Sequence, residues 1–257
     1  MRRLRRLLAK RSERWAEGVC VIEGPDLVSA AFDARAAIDA LYVDRDARGG
    51  PEVARVIERA RDEGVAVFDL APGVLERVAD AATPQPVLAT VQFSTEELTR
   101  AALDGLVLVL DNLRDPGNLG TIIRSADAAG VRTIILSGDC VDPYNPKTLR
   151  ATAGAIFRVS LVEASLDATT THLRARGVRS YATVLRGATP YQDCDLRGPC
   201  AVLIGNESAG LSEDALARCD ARMTIEMVGT AESLNAGVAA SLIAFEALRQ
   251  RRATTDV

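Results

Sequence analysis

Apolar positions in the C-terminal part of the chain form short continuous runs, separated by polar loops and stretches of helical periodicity. Three runs, at residues 106–110, 201–204 and 223–227, end at segments rich in glycine and asparagine. Runs of this length are typical of strands buried on both faces, and helical crossovers between them indicate a mostly parallel sheet covered by helices. The pattern therefore predicts an α/β fold here.

The same pattern predicts further elements on both sides of a junction. In the C-terminal part it predicts strands at residues 133–137, 157–160 and 180–185, and a final helix over 235–251. The first 90 or so residues predict a smaller α/β domain: a basic helix at 1–17, strands at 19–23, 40–43, 65–69 and 87–91, and helices at 25–34, 52–63 and 72–79. Residues 93–104 carry charges without a strand pattern. We therefore predict domains at 1–95 and 105–257, joined by a linker at 96–104.

The final helix carries two kinds of apolar face. Its larger side chains form one stripe, which we expect to pack inside its own domain: Val238, Leu242, Phe245 and Leu248. Small residues on adjacent faces leave room for the backbone of a second subunit: Ala236, Gly237, Ala239, Ala240 and Ala244. The helix therefore predicts a homodimer built on the C-terminal domain. The alternative is that all these residues pack within one subunit.

Composition limits the class of protein. The 257 residues are 48% hydrophobic, enough for real cores, but no run approaches the roughly 18 apolar residues of a membrane span. The arginine-rich start lacks the apolar stretch of a secretory signal, although a transit peptide stays possible. Five cysteines without a C-x-x-C pair argue against disulfides and a structural zinc site, and favour free thiols in a reducing cytoplasm.

Charge is distributed unevenly along the chain. The formal net charge is −4, yet residues 1–14 hold seven Arg or Lys against one Glu, a net of +6. A basic arm on an acidic body is an asymmetry found in nucleic-acid-binding proteins, although a solvated helix face is the alternative. The candidate phosphate ligands are Arg2, Arg3, Arg5, Arg6, Lys10, Arg11 and Arg14.

Three glycine- and amide-rich segments, at residues 112–124, 204–212 and 233–240, carry the candidate chemistry. Each follows a predicted strand and leads into a predicted helix. Such a turn presents backbone N–H groups at the sheet edge where α/β proteins bind polar ligands. Three turns of this kind, each with an asparagine, predict one composite site.

These segments resemble the SpoU/TrmH family of RNA ribose 2′-O-methyltransferases, part of the SPOUT class. The second and third motifs match residues 205–212 and Ser233 to Asn235, and residues 19–26 resemble the start of the family's N-terminal substrate-binding domain. The first motif is matched by Asn112, Asp115, Pro116, Asn118, Gly120 and Arg124.

The resemblance implies a fold, a cofactor and residue roles. It implies a trefoil-knotted sheet, S-adenosyl-L-methionine as methyl donor, no metal, and a homodimer with the active site near its interface. The implied catalytic residues are Arg124, Asn118, Glu207, Ser233 and Asn235. The implied cofactor-binding residues are Thr183, Gly205, Asn206, Ile225, Met227 and Leu234. One departure is visible, because Glu226 stands where the family often has proline.

Arg124 has two candidate roles. The family's matching arginine is proposed as the base acting on the 2′-hydroxyl, but a guanidinium stays protonated and has no acceptor. Its secure role is as a fork-shaped donor to a phosphate or to the developing alkoxide. Asn118 offers an amide that could orient Arg124 or the ribose.

Rival classes fit less well. Ser208 and Gly210 resemble part of a serine-esterase elbow, but the one histidine, His172, precedes the serine and none follows it. No dinucleotide-binding or P-loop glycine motif follows a strand. The two-domain layout favours ribosomal RNA as substrate. A tRNA methyltransferase and a non-enzymatic RNA-binding or assembly protein stay as alternatives.

Overall fold

A computed structural model describes residues 1–78 and 84–255 of the chain. Its contacts divide the chain into two compact units. One contains Met1–Ser94 together with Asp142–Phe157, and the other contains Thr95–Val141 together with Arg158–Val257. Nothing in the sequence pattern marked residues 142–157, which interrupt the second unit, as part of the first. Ala79, the end of one predicted helix, lies outside the described residues.

The N-terminal unit is built on a four-stranded sheet in the order β1-β4-β2-β3. Strands β2 and β3 pair in parallel, and the other pairs are antiparallel. Its elements are α1 (Arg2–Ala9), α2 (Arg11–Glu17), β1 (Val19–Glu23), α3 (Pro25–Asp33), β2 (Ile38–Asp44), α4 (Pro51–Asp62), β3 (Ala66–Leu70), α5 (Val74–Val78), β4 (Val87–Gln92) and, from the later segment, α7 (Pro146–Thr152).

The basic start of the chain forms two helices where the sequence predicts one. Lys10 adopts an extended conformation, with φ −123° and ψ 121°, and separates α1 from α2. The apolar side of α1, formed by Leu4, Leu7 and Leu8, packs into the core of this unit. The arginines of α1 are left exposed by this packing.

Arg14 differs from the other basic residues because it is buried. Only 3% of Arg14 and 5% of Asp142 are exposed. The Arg14 guanidinium donates from Nε to Asp142 Oδ2 at 2.8 Å and from Nη1 to the carbonyl of Leu7 at 2.6 Å. Trp15 Nε1 donates to the other oxygen of the same carboxylate at 3.1 Å. Arg14 is therefore an internal anchor for residues 142–157, and its assignment as an RNA ligand is wrong.

The C-terminal unit has a seven-stranded sheet in the order β7-β6-β5-β10-β8-β11-β9. Every strand pair described in this sheet is parallel, which confirms the predicted α/β class. Its elements are β5 (Leu106–Asp111), α6 (Pro116–Ala128), β6 (Thr133–Ser137), β7 (Ser160–Glu163), α8 (Leu166–Ala175), β8 (Arg179–Thr183), β9 (Thr189–Pro190), β10 (Cys200–Ile204), α9 (Glu213–Arg218), β11 (Ala221–Thr224) and α10 (Ala236–Thr255).

Two strand predictions shift in this unit. The strand predicted at residues 157–160 begins at Ser160, because Ala155–Phe157 form a short 3₁₀ turn. The strand predicted at 223–227 ends at Thr224, and residues 225–235 form an irregular connection to α10. Within the described residues, no helix has both the length and the apolar content needed to cross a membrane.

The prediction for the faces of the final helix is wrong. The small side chains of α10 face inward, with Ala236, Ala240 and Ala244 all buried, and the helix packs against α6. A Cβ added at Gly237 would lie 3.1 Å from the side chain of Thr121 on α6, so the two helices approach closely. The larger stripe is outside instead: Val238, Leu242 and Phe245 are 46%, 39% and 48% exposed.

Asp142→Ala should destabilise the protein strongly, because it leaves the charge of Arg14 buried without its carboxylate. Breaking one side of a buried ion pair costs about 3–5 kcal/mol. The matched control is Asp139→Ala, which removes an exposed ion pair with Arg114 and should cost less than about 1 kcal/mol. Urea denaturation measures both free energies of unfolding. Equal losses would contradict the anchoring role of Asp142.

Candidate active site

The three glycine- and amide-rich segments begin at one edge of the C-terminal sheet. Strands β5 and β10 are neighbours in parallel register, with Leu110 opposite Ile204. The segments that follow them therefore start side by side. The third segment follows β11 through the connection 225–235 and opens α10. In a parallel sheet this carboxyl edge is where ligands bind.

The first turn is held in shape by Asn112. Its backbone is left-handed, with φ 56°, a conformation that asparagine tolerates better than most residues. Its carbonyl accepts a hydrogen bond from Asn206 Nδ2 at 2.9 Å, which ties the first segment to the second. Its side-chain Oδ1 accepts from the backbone of Asp139 at 3.0 Å. Asn112 belongs to the first motif, but its position in the sequence does not indicate this role.

Helix α6 begins directly after this turn. Asp115 is its N-cap, and Asp115 Oδ1 accepts from the backbone N–H of Asn118 at 2.7 Å. Pro116 occupies the first helical position, where its missing N–H has no consequence. Because Asp115 supplies the cap, the side chain of Asn118 is released for other contacts.

Glu207 receives several hydrogen bonds from the start of the first segment's helix. Its Oε1 accepts from Asn118 Nδ2 at 3.0 Å and from the backbone of Asp115 at 3.1 Å, and its Oε2 accepts from the backbone of Arg114 at 3.3 Å. Burial acts most strongly on the pKa of Glu207 and raises it, but these hydrogen bonds outweigh burial and leave the pKa lowered. Glu207 is therefore an ionised acceptor at neutral pH.

Asn118 also contacts the third segment. Its Oδ1 accepts from Asn235 Nδ2 at 2.7 Å. Asn235 in turn caps α10, because its Oδ1 accepts from the backbone of Gly237 at 2.8 Å and of Val238 at 3.2 Å. The side chains of Glu207, Asn118 and Asn235 thus form one hydrogen-bonded chain that joins all three segments.

Arg124 is not part of the hydrogen-bonded chain Glu207–Asn118–Asn235. It is on the exposed side of α6, six residues after Asn118, which corresponds to roughly 9 Å along a helix axis. The Asn118 amide is occupied by Glu207 and Asn235 and does not contact Arg124. Among the described residues Arg124 has no hydrogen-bond or ion-pair partner, so its guanidinium is available to a ligand. Ser233 is likewise exposed and makes no hydrogen bond within the described part of the chain.

Gly205 is required by the shape of the second turn. A Cβ at this position would lie 2.3 Å from the carbonyl carbon of Gly210 and 2.4 Å from the nitrogen of Leu211. The turn is closed by paired backbone hydrogen bonds between Asn206 and Gly210. The Asn206 side chain also accepts from the backbone of Ser208 at 3.0 Å. Gly205 and Asn206 therefore stabilise the turn that positions Glu207.

The other predicted cofactor residues lie near the same sheet edge. Thr183, at the end of β8, donates from Oγ1 to the carbonyl of Leu203 in the neighbouring strand at 2.8 Å. Ile225 and Met227 are half-buried and Leu234 is exposed, all on the connection between β11 and α10. The structure thus leaves apolar surface on a loop beside the carboxyl ends of the strands, as a purine site requires.

Fold and site together describe a parallel α/β protein with a composite site at its carboxyl edge. The SpoU rRNA Methylase family model matches residues 105–245, and the MRM3-like substrate binding domain model matches residues 1–89. The family model covers more than half of the chain and includes all three motif segments. The chain belongs to the SpoU rRNA methylase family.

Individual relatives are similar over nearly the full length. The 23S rRNA (guanosine(2553)-2′-O)-methyltransferase RlmP of Bacillus subtilis (strain 168) is 32% identical, over 93% of this chain and 92% of its own. The 23S rRNA (uridine(2479)-2′-O)-methyltransferase of Streptomyces viridochromogenes is 33% identical, over 95% and 88%. The crystal structure of AdoMet-bound rRNA methyltransferase from Sinorhizobium meliloti matches with a TM-score of 0.86 and 33% identity, over 96% and 93% of the two chains.

Gly205→Ala should open the second turn, because the new methyl group would meet backbone atoms that cannot move aside. Overpacking of this kind costs about 1–3 kcal/mol. Gly198→Ala is the matched control in the same unit, since its Cβ would meet nothing within 4 Å. Thermal unfolding of both variants measures the difference. A Gly205→Ala protein as stable as the control would contradict the close approach.

Proposed function

We propose that the protein is an S-adenosyl-L-methionine-dependent RNA methyltransferase that modifies the ribose 2′-hydroxyl of ribosomal RNA. The observation that carries the proposal is the hydrogen-bonded chain Glu207–Asn118–Asn235, which joins all three family motifs at the carboxyl edge of the sheet. A non-enzymatic scaffold has no need to keep an ordered polar site of this kind. The two full-length relatives named above, both 23S rRNA methyltransferases, favour ribosomal RNA over tRNA.

The bound cofactor supplies a methyl group on a sulfonium, ready for in-line displacement by a hydroxyl. We assign its binding to the turn at residues 205–211 and to the connection 225–235. The half-buried side chains of Ile225 and Met227 and the exposed Leu234 offer apolar contacts to a purine. Thr183 and Asn206 hold the neighbouring strand ends in place. Their hydrogen bonds keep the site rigid, which favours a near-attack geometry.

Arg124 is assigned to the substrate. An exposed guanidinium with no partner among the described residues can bind a phosphate or the oxygen that becomes an alkoxide. Its charge is then most valuable when negative charge develops on that oxygen in the transition state. Ser233 makes no hydrogen bond to any described residue either, and it is assigned to the ribose side of the site. Asn118, Glu207 and Asn235 act as positioning residues, because their polar atoms are used on one another.

We assign RNA binding to the basic helices at the N-terminus. With Arg14 withdrawn, the remaining candidates for phosphate contacts are Arg2, Arg3, Arg5, Arg6, Lys10 and Arg11. These six side chains are exposed. The five cysteines are free thiols, as in proteins of a reducing compartment, and a cytoplasmic location stays a prediction.

Arg124→Ala should abolish methyl transfer while leaving the affinity for S-adenosyl-L-methionine within a few-fold. The loss should appear in kcat, as expected for a contact made mainly in the transition state. Transfer of tritiated methyl to an unmodified 23S rRNA transcript measures activity, and calorimetry measures cofactor binding. Arg176→Ala, which removes another exposed arginine of the same unit, should behave as wild type. Near-normal turnover of Arg124→Ala would reject the assignment.

We also propose that the protein is a homodimer through α10. Val238, Leu242 and Phe245 form an exposed apolar stripe on one helix, and exposed apolar patches mark association sites. The exposed side chain of Leu234 lies just before the same helix. A second copy of the helix offers a matching surface by symmetry. The stripe begins at Val238, three residues after Asn235, so the interface would border the active site.

Leu242→Glu should convert the protein to a monomer, because a charge in the centre of the stripe cannot be buried against its symmetry mate. Light scattering at micromolar concentration gives the mass of each species. Arg176→Glu introduces a carboxylate at the exposed position that follows α8 and should leave the dimer intact. A wild-type protein with the mass of one chain, 27.3 kDa, and full methyl transfer would reject the dimer.

A further inference from the structure

An exposed aromatic pair stands on the N-terminal sheet. Phe68 is 51% exposed and lies on β3, the edge strand of that sheet. It is opposite Tyr42 of β2 in the parallel register. The two rings are stacked, with centroids 5.5 Å apart and an angle of 21° between their planes. An exposed phenylalanine on an edge strand favours aggregation. Its presence at this position therefore suggests a role in binding.

The aromatic pair is held in place by the hydrophobic core of the N-terminal unit. Tyr42 is half-buried and packs against the cluster that contains Leu4, Leu7 and Leu8 of α1. Phe68 therefore rests on a ring whose position is set by the core, not on a flexible side chain. A rigid flat surface of this kind loses little entropy when a second flat group stacks on it.

The basic helix α1 borders the same pair. The guanidinium of Arg3 hydrogen-bonds to Glu17 at 2.6 Å. That bond is the largest cause of the raised pKa of Arg3. Arg3 Nη2 also lies 4.0 Å from Asp39 Oδ2 on β2. Tyr42, on the same strand as Asp39, packs against the buried leucines of α1. Tyr42 thus joins the aromatic pair to the arginine-bearing helix. We call this region the aromatic–basic surface: Arg3, Arg6, Tyr42 and Phe68.

Three carboxylates face the arginines of this surface and offset part of the positive charge of α1. Arg3 pairs with Glu17 at 2.6 Å and lies 4.0 Å from Asp39. Arg6 lies 3.5 Å from Glu13 and 4.0 Å from Glu17. All of these side chains are partly exposed, and ion pairs of this type contribute about 0–1 kcal/mol. These weak pairs leave the guanidinium groups of Arg3 and Arg6 able to turn toward a phosphate. Among the described residues Arg2 has no partner, and Arg5 donates only to the carbonyl of Arg77. These two arginines therefore leave α1 with an excess of positive charge.

We propose that the aromatic–basic surface binds an unpaired stretch of the RNA substrate, with one base stacked on Phe68 and the adjoining phosphates on the arginines of α1. This proposal rests on the proposed function, since it takes RNA as the substrate. Stacking on exposed aromatic rings beside basic side chains is how proteins hold unpaired bases in RNA loops. The surface thus selects RNA with an accessible loop over a continuous duplex.

Binding of a fluorescein-labelled twelve-nucleotide oligouridylate, followed by anisotropy, tests the stacking contact. Phe68→Ala should weaken binding by about 5- to 100-fold, while Phe68→Trp, which keeps an aromatic face, should bind as wild type. The salt dependence of binding should not change in Phe68→Ala, because no phosphate contact is lost. Leu185→Ala, which truncates an exposed apolar residue of the other unit, is the control and should bind normally.

Photo-crosslinking locates the contact independently. The same oligonucleotide carrying 5-iodouridine should give an adduct on Phe68 or Tyr42, identified by mass spectrometry of the digested protein. Unchanged affinity of Phe68→Ala, or adducts confined to other residues, would overturn the proposal and leave the surface to a protein partner. Wild-type methyl transfer to the 23S rRNA transcript is measured in parallel. If that transfer is absent, the proposed function fails; if it is normal while Phe68→Ala binds normally, only the stacking site fails.

Discussion

The side-chain amide of Asn118 is the interaction on which the arrangement of the site depends. It donates to Glu207 from the second motif and accepts from Asn235 of the third. An amide is suited to this position because it is a donor and an acceptor in one rigid plane. A carboxylate in its place would repel Glu207, and an apolar side chain would leave two polar groups without partners. In a partly buried site, either the repulsion or the unpaired polar groups would destabilise the folded protein.

The packing of two helices places the partners of that amide. Helices α6 and α10 approach closely through Gly237 beside Thr121, and Ser241 bonds to Ser125 at 2.6 Å. Because α10 is held against α6, its capping residue Asn235 meets Asn118 near the start of α6. The same contact turns the larger side chains of α10 outward. Catalytic geometry and the exposed stripe on α10 are therefore two consequences of one small-residue interface.

Much of the fold could be predicted from the sequence, because buried parallel strands are marked by continuous apolar runs. The motif segments could also be placed, since each follows such a run. The faces of α10 could not, because both stripes are apolar and periodicity alone does not say which one is inside. Residue size determines which stripe faces inward, because the alanines fit against α6, whereas Leu242 and Phe245 do not.

The burial of Arg14 is a second failure with a physical cause. Its partner Asp142 lies 128 residues away along the chain, in a segment that interrupts the C-terminal sheet. Local composition makes Arg14 one of seven similar basic residues, and only the folded chain distinguishes it. The break at Lys10 is related, because it separates the helix that displays arginines from the helix that buries one.

The most direct measurement is a double-mutant cycle between Asn118 and Asn235, read out as kcat/KM for methyl transfer from S-adenosyl-L-methionine to 23S rRNA. If the three segments act as one unit, Asn118→Ala and Asn235→Ala should each reduce the rate, and the double variant should lose little more than the worse single variant. Losses that multiply in the double variant would show that the two residues act independently. That result would contradict a site organised by the Asn118 amide.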